Sequence, residues 1–533
     1  MPVHGAMSWG WSSARGRILS GAWLGVLTYV IPPGLVDEAV REGLAREVRL
    51  RSLPARVTAY FVLGLCLFSA ASYSGVFLQV TAGLGLASPA TTALAAARRR
   101  LGEAPLESLF RRLCSPLSPG TRPWSHVCGL LAVAVDGTTV AVAATPANAA
   151  ALAAPGRKSK PKDPAAPPPA PAGPQLRLVA LMACGTRALL DAAIGPALGK
   201  GGGEQSLAWQ LLGSLRPGML LLADRNFYSW KLWHAAAAGA HLLWRVTSSL
   251  RLRPLAELPD GSWLAHADDP CAVAARHHRN GMRRRRGSGL PPDAGPLPGM
   301  TVRVIEYCLT VTADDGSART ERYRLITTLL DHRAYPAAAL AGAYARRWAI
   351  ETGYQECKTY LRGSGRLLRA KTPDLARQEL WALLSVYQAL RTLIVRAAAR
   401  AGTDPDRVSF TAALSAARRT MTAPRRQLAA ALDRAETEIL AVTVPLREGR
   451  VYPRAARQPR ARYPSRTTAK TPVSQHATAT LTITTPHPPA RTSTHQHRQP
   501  QPSPEPAPLN SWHWAIAGPM THGEEWGQRG SRR

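Results

Sequence analysis

The sequence predicts an α/β protein: a mixed β-sheet with flanking helices, interrupted by a β-rich insertion, preceded by an all-helical region and followed by a disordered tail. Three observations carry this reading. Short apolar runs that end in an acid, residues 130–135 before Asp136 and 219–223 before Asp224, alternate with helical patterns, as strands buried in a sheet do. The stretch between Asp224 and Glu351 is far longer than one crossover helix needs, so a further unit is inserted there. Beyond Pro445 the hydrophobic periodicity stops, and Pro, Thr, His, Gln and Arg dominate.

Residues 1–125 read as helical. Pro32-Pro-Gly opens a helix that ends at Gly43. Residues 57–97 carry no charge, and 57–68 are strongly apolar, enough to satisfy a crude membrane-spanning rule. Ser69, Ser72, Ser74, Gly75 and Gln79 interrupt the run, so two buried helices are expected in preference to a membrane span. Residues 1–17 lack a signal-peptide layout. Two short helices follow, over 90–101 and 105–113. With Arg98-Arg-Arg100 and Arg111-Arg112 they suit a helix-turn-helix-like module, and equally a basic solvated pair.

From 126 to 246 the pattern is that of a first part of the sheet. After Asp136, residues 149–174 are Ala/Pro-rich and predicted to stay unpacked. A hairpin is expected from 176–183 and 187–193 around Cys184-Gly-Thr, then a helix over 204–215, the strand to Asp224, a helix over 228–238 and a strand over 241–246. The insertion spans 247–320, with strand-like pieces at 262–264 and 300–312 flanking a mobile basic stretch, 276–286. Residues 321–401 return a strand at 323–330 and add helices over 336–361 and 375–401. Residues 402–445 are helical, and 446–533 form a disordered basic tail whose His476, His487, His495 and His497 lack a metal-ligand spacing.

Lysine and arginine number 67 against 34 acids, a net charge of +33. Such a surface favours a polyanion, with nucleic acid ahead of an anionic membrane. The seven cysteines show no C-x-x-C spacing and are odd in number, which argues against a zinc knuckle or disulfide framework and for a reducing, cytoplasmic setting.

The helix over 336–361 holds the most informative spacing. At about 100° per residue, Tyr344, Arg347, Glu351 and Lys358 fall within roughly 60° of one another. A carboxylate on that face could hold a metal ion and the cations phosphate oxygens; the same residues also describe a solvated face with an Arg347–Glu351 pair. Asp136 and Asp224, each following a buried strand, would bring two further carboxylates to the same place.

Tyr344-x2-Arg347-x3-Glu351-x6-Lys358, with Asp136-Gly-Thr-Thr139 and Asp224-Arg-Asn-Phe-Tyr228, resembles the signature of DDE transposases of bacterial insertion sequences, in the insertion-sequence-4 branch. The likeness runs from about residue 21 to 453. It implies an RNase H-like core, with Asp136, Asp224 and Glu351 as catalytic residues and ligands of two Mg²⁺ ions, Mn²⁺ serving as a substitute. It also implies Tyr344, Arg347 and Lys358 on DNA, and an amino-terminal domain on the terminal inverted repeats. The partners implied are double-stranded DNA at the element's ends and target, and a second copy of the chain on that DNA. The reaction implied is cleavage at the element's ends and strand transfer. If a hairpin forms, a base must leave the stack; Trp244 and Trp263 are the candidates to hold it, set against ordinary core tryptophans. Three other readings stay open: a stand-alone metal-dependent nuclease, a decayed DNA-binding protein and a membrane-anchored protein.

Overall fold

The structure is a computed structural model that describes residues 21–43, 53–117, 121–152, 173–285, 295–444, 450–451 and 475–484, apart from positions 83, 85, 200, 314, 315, 317 and 424. Five helices open it: α1 (Pro33–Gly43), α2 (Ala55–Leu67), α3 (Tyr73–Val80), α4 (Thr91–Leu101) and α5 (Ala104–Leu113). α2 is apolar on every side and almost wholly buried, as a helix without a polar face must be. Its 13 residues fall short of the ~20 that cross a bilayer core. In the basic pair α4 and α5 several arginines are engaged within the protein. Arg98 is 1% exposed and held by Gln378 and Glu379. Arg111 pairs with Glu107 and Asp191, and Arg112 with Glu38 and Glu42. These contacts dock the helices onto the protein, while Arg99 and Arg100 of α4 are exposed.

The sheet begins with β1 (His126–Val127) and β2 (Leu130–Ala141). α6 (Pro146–Leu152) follows, so the Ala/Pro-rich segment starts with helix that buries Leu152, and residues 153–172 lie outside the described residues. β3 (Gln175–Ala183) and β4 (Leu189–Pro196) make the expected hairpin. Next come α7 (Glu204–Trp209), β5 (Met219–Ala223), α8 (Trp230–Ala237) and β6 (His241–Arg245). β2, β3 and β4 pair antiparallel, while β2, β5 and β6 pair parallel.

The insertion is β7 (Arg253–Glu257), β8 (Trp263–Asp268), α9 (Pro270–Arg285) and β9 (Gly299–Ala313), and β10 (Ala318–Thr327) leads out of it. It extends the central sheet, because β10 pairs with β6 on one side and β9 on the other. The basic stretch expected to be mobile is the second half of α9, with Arg286 outside the described residues. Proline in the first turn, alanines behind it and arginines near the carboxyl end all favour a helix, and Asp269 caps it by accepting the amide of Cys271 at 2.8 Å.

The remaining helices are α10 (Ala337–Tyr344), α11 (Trp348–Gln355), α12 (Pro373–Arg400), α13 (Phe410–Arg419) and α14 (Leu428–Leu440). α12 is long and apolar enough to cross a membrane, yet most of its apolar window is buried in the protein, against α2, α5, α13 and α14. The tail then supplies β11 (Arg450–Val451) and β12 (Gln475–Ile483). The expectation of a wholly disordered tail is thereby corrected: β12 pairs along β9 from Ala477↔Ala313 to Ile483↔Tyr307. Alternation of threonine with Ala, Leu and Ile suits a half-buried strand, and Leu481 and Ile483 pack on the core. Residues 452–474 and 485–533 lie outside the described residues.

Strand periodicity of two divides the core. Val133, Val135, Leu221 and Ala223 face the side covered by α7 and α8. Ala132, Ala134, Leu220 and Leu222 face the other side, against α11 and α12.

Candidate active site

That parity fixes two of the acids. Asp136 follows Ala134 by two residues and Asp224 follows Leu222 by two, so both fall on the α11 side of the sheet. The register aligns them: β2 and β5 run parallel, and Val135↔Ala223 is their last matched pair. Asp136 and Asp224 therefore leave neighbouring strands at the same level. β2 itself does not end at Asp136 but continues along β3 to Ala141; what stops there is its pairing with β5.

Glu351 arrives from the helix above. α10 and α11 are joined by a 3₁₀ turn, Ala345–Arg347, and extended by a π-turn, Glu356–Leu361, a departure common at functional sites. Two phenols pin this rod to the acid-bearing strands. Tyr344 donates to the carbonyl of Ala223 at 3.3 Å, and Tyr354 to the carbonyl of Asp136 at 2.7 Å. Gly353 lets the rod come close, since a Cβ there would meet Met182 Cε at 2.5 Å and Tyr387 Oη at 2.9 Å. Asp136, Asp224 and Glu351 accordingly line one open cleft of about 800 Å³, with Glu204, Arg347, Trp348, Lys358 and Arg362 among its walls.

Arg347 lies between the acids. Its Nη1 donates to Asp136 Oδ2 at 3.0 Å and its Nη2 to Glu351 Oε1 at 3.1 Å, and its guanidinium stands 4.9 Å from the Trp348 ring. Burial opposes its charge, but Tyr344 and the surrounding acids outweigh burial and raise its pKa. One guanidinium does not balance the carboxylates. Burial pushes Asp136 up to about 6, with Arg347 opposing and Asp224 and Glu204 adding repulsion. Burial likewise pushes Glu351 up to about 7, against Arg347 and with Asp136. Lys358 donates to Thr138 Oγ1 at 3.0 Å, and its pKa is lowered by burial and by Arg362.

Three expectations for side chains need correction. Tyr344 is 4% exposed and absent from the cleft wall; its hydroxyl serves the sheet, so it is no surface for DNA. Trp244, edge-on to Trp233 at 5.1 Å, and Trp263 are both buried in the core on the far side of the sheet, which leaves neither a face for a base. Two aromatics line the cleft: Trp348, next to Arg347 in sequence, and Tyr354, whose hydroxyl is taken by the Asp136 carbonyl. Glu204 was also missed. It pairs with Arg177 at 3.1 Å and packs where a Cβ on Gly137 would stand, a juxtaposition that depends on the folded sheet.

The donor set suits a hard divalent cation. Among the described residues no three acidic, histidine or cysteine side chains form a ready-made metal cage. A small cation that takes one or two carboxylates and completes its shell with water and phosphate oxygens needs no such cage, and carboxylates held above their ordinary pKa by burial and mutual repulsion are those a cation relieves.

Known proteins match the same parts of the chain. Residues 22–111 match the insertion element 4 transposase N-terminal family, and residues 128–388 match the transposase DDE domain family. The transposase InsG for insertion sequence element IS4 of Escherichia coli (strain K12) is 27% identical over 444 residues, covering 82% of this chain and 92% of that protein. A cryo-EM structure of the piggyBac transposase synaptic complex with hairpin DNA aligns over 77% of this chain and 84% of that one at 10% identity, with a TM-score of 0.39, too slight a likeness to bear on the fold. With an amino-terminal match, a DDE-domain match spanning all three acids and a relative aligned along most of its length, this chain belongs to the insertion element 4 family of DDE transposases.

Proposed function

We propose that the chain cuts DNA at the ends of its insertion sequence and joins them to target DNA, with Asp136, Asp224 and Glu351 as the catalytic acids of an RNase H-like core. The observation that carries this is the Val135↔Ala223 register, which sets two acids side by side beneath the helix that brings the third to the same cleft. The strand order β6-β5-β2-β3-β4 is the one expected of such a core.

The three carboxylates would hold two Mg²⁺ ions, for which Mn²⁺ can substitute. When bound, these supply Lewis-acid stabilisation of the charge that develops in an in-line displacement at phosphorus. The chain's own groups do the rest. Arg347 bridges Asp136 and Glu351, opposes the rise in their pKa and aims them into the cleft, and Lys358 offers a point charge to a phosphate. Trp348 gives an aromatic wall against which a sugar or base can rest. Hydrolysis breaks a phosphodiester and leaves a 3′-hydroxyl on the element's end. That hydroxyl then attacks a second phosphodiester, and one 3′-oxygen leaves as the new bond forms, so no covalent protein intermediate is required. A homodimer on DNA, and a cytoplasmic setting, belong to the same proposal.

Replacing Asp136, Asp224 or Glu351 singly by alanine should abolish Mg²⁺-dependent cleavage of end-containing DNA while end binding persists. Retained cleavage in any one variant would sink the triad. Joining of a pre-cleaved 3′-hydroxyl end to target DNA by the wild type separates a transposase from a nuclease with the same acids.

A further inference from the structure

The rod that carries Glu351 and Lys358 ends in a group the four-residue spacing does not include. Arg362 stands four residues beyond Lys358 and lines the same cleft, together with Ser364 and Gly365. Its neighbours in sequence are already engaged. Arg366 donates to the carbonyl of Ser69 at 3.2 Å and Arg369 to that of Ala71 at 2.8 Å, while Arg347 is taken up by Asp136 and Glu351. Among the described residues the Arg362 side chain has no hydrogen-bonded partner: its Nε and Nη1 are buried without an acceptor, and burial lowers its pKa against the more distant attraction of Glu379. A desolvated guanidinium beside another cation is costly unless an anion answers it.

The backbone points the same way. Arg362 is in the right-handed region, with φ −74° and ψ −30°, and Gly363 follows at φ +94°. The Arg362 amide is itself given to the Cys357 carbonyl at 3.0 Å, and the alternation turns the amides of Gly363 and Ser364 that follow it to one side, as in an anion-binding concavity. Gly365, at φ +71°, has open space where a Cβ would be, so a bulky ligand can approach the turn.

We propose that Arg362 and the Gly363-Ser364-Gly365 turn form a second phosphate site on the DNA strand that enters the cleft, beyond the one served by Lys358. The site deepens the reading above and rests on it for the identity of the ligand as DNA. At ~1.5 Å per residue or a little less through the π-turn, Arg362 is up to roughly 16 Å along the rod from Glu351, too far for both to serve one phosphate. The phosphate it takes is therefore not the one that is cut. Arg362 swings from its unsatisfied position into the cleft as the phosphate arrives, and the turn contributes amides and the Ser364 hydroxyl.

The test is a scan of single methylphosphonates, each removing one phosphate charge, along a duplex of the element's end bound to the full chain without divalent ions. Wild type should lose about tenfold in affinity at one position away from the cut, beside any loss at the cut itself. In Arg362→Met that remote sensitivity should vanish and the slope of log K against log salt should fall by about 0.9, with the remaining profile unchanged. Ser364→Ala, at an exposed turn position, should blunt the same position and keeps the test usable if Arg362→Met fails to fold. A wild-type profile with no remote position, or an Arg362→Met profile lowered uniformly or not at all, overturns the site. Because the scan is read without cleavage, its failure is separate from any failure of the alanine variants at the three acids.

Discussion

Replacing Asp136 with asparagine should stabilise the metal-free protein while abolishing its cleavage of DNA. The magnitude follows from burial. The Asp136 carboxyl is pushed up to about 6, against about 3.9 in an unfolded chain. A raised carboxyl pKa means that the folded state binds the proton more tightly, so the contribution to stability is present at low pH and is lost as pH rises from about 4 to about 6. At ~1.4 kcal/mol per pH unit the ionised group costs the fold up to roughly 3 kcal/mol at pH 7.5, with the Arg347 attraction already included. The side chain is 18% exposed, so relaxation and solvent reduce this to about 1–2 kcal/mol. Asparagine has no charge to desolvate. Urea unfolding in EDTA should therefore show the variant ahead of the wild type by that amount at pH 7.5, by less at pH 5, and hardly at all at pH 4. Added Mg²⁺ should close the gap by stabilising only the wild type. A variant less stable than the wild type at pH 7.5 in EDTA, or a gap that does not change with pH, refutes the argument that these acids are held short of positive charge.

Arg347→Lys should reduce cleavage at least tenfold, because a point charge cannot span Asp136 and Glu351 as the planar fork does; wild-type rates at saturating DNA would show that the bridge is dispensable. Trp244→Ala should cost about 3–5 kcal/mol of stability, as large core truncations do, and impair nicking and later strand steps together; a defect confined to the later step would return it to the role of a base holder. Deleting residues 451–533 removes β12 and bares the edge of β9, so the truncated chain should still fold and cut yet associate more readily. Light scattering equal to that of the full chain would show that the edge is protected in another way.

The placement of Asp136 and Asp224 at the sheet was legible in the sequence because each follows an apolar run, and a run of five or six such residues between turn signals has few places to go but a sheet interior. The hairpin at Cys184-Gly185-Thr186 and the helix 373–400 were legible for similar local reasons. A helical wheel, by contrast, gives angle but not depth. It set Tyr344 with Arg347 and Lys358, whereas the 3₁₀ turn at Ala345–Arg347 and the closeness of the sheet bury Tyr344 against Ala223. The same wheel carried one step further would have reached Arg362. The bridge from Arg347 to Asp136 joins residues 211 apart, and β12 pairs with a strand far upstream; neither leaves a local signal. Composition misled twice, at α9 and β12, where arginine or threonine richness outweighed the caps and alternation that were present.

Binding of divalent ions among Asp136, Asp224 and Glu351 can be tested without DNA chemistry by loading the protein with Fe²⁺ and generating hydroxyl radicals at the bound ion. The chain should be cut close to residues 136, 224 and 351, excess Mg²⁺ should suppress the cuts, and Asp136→Ala should lose them. Cuts that map elsewhere, or that survive in Asp136→Ala, would contradict the account.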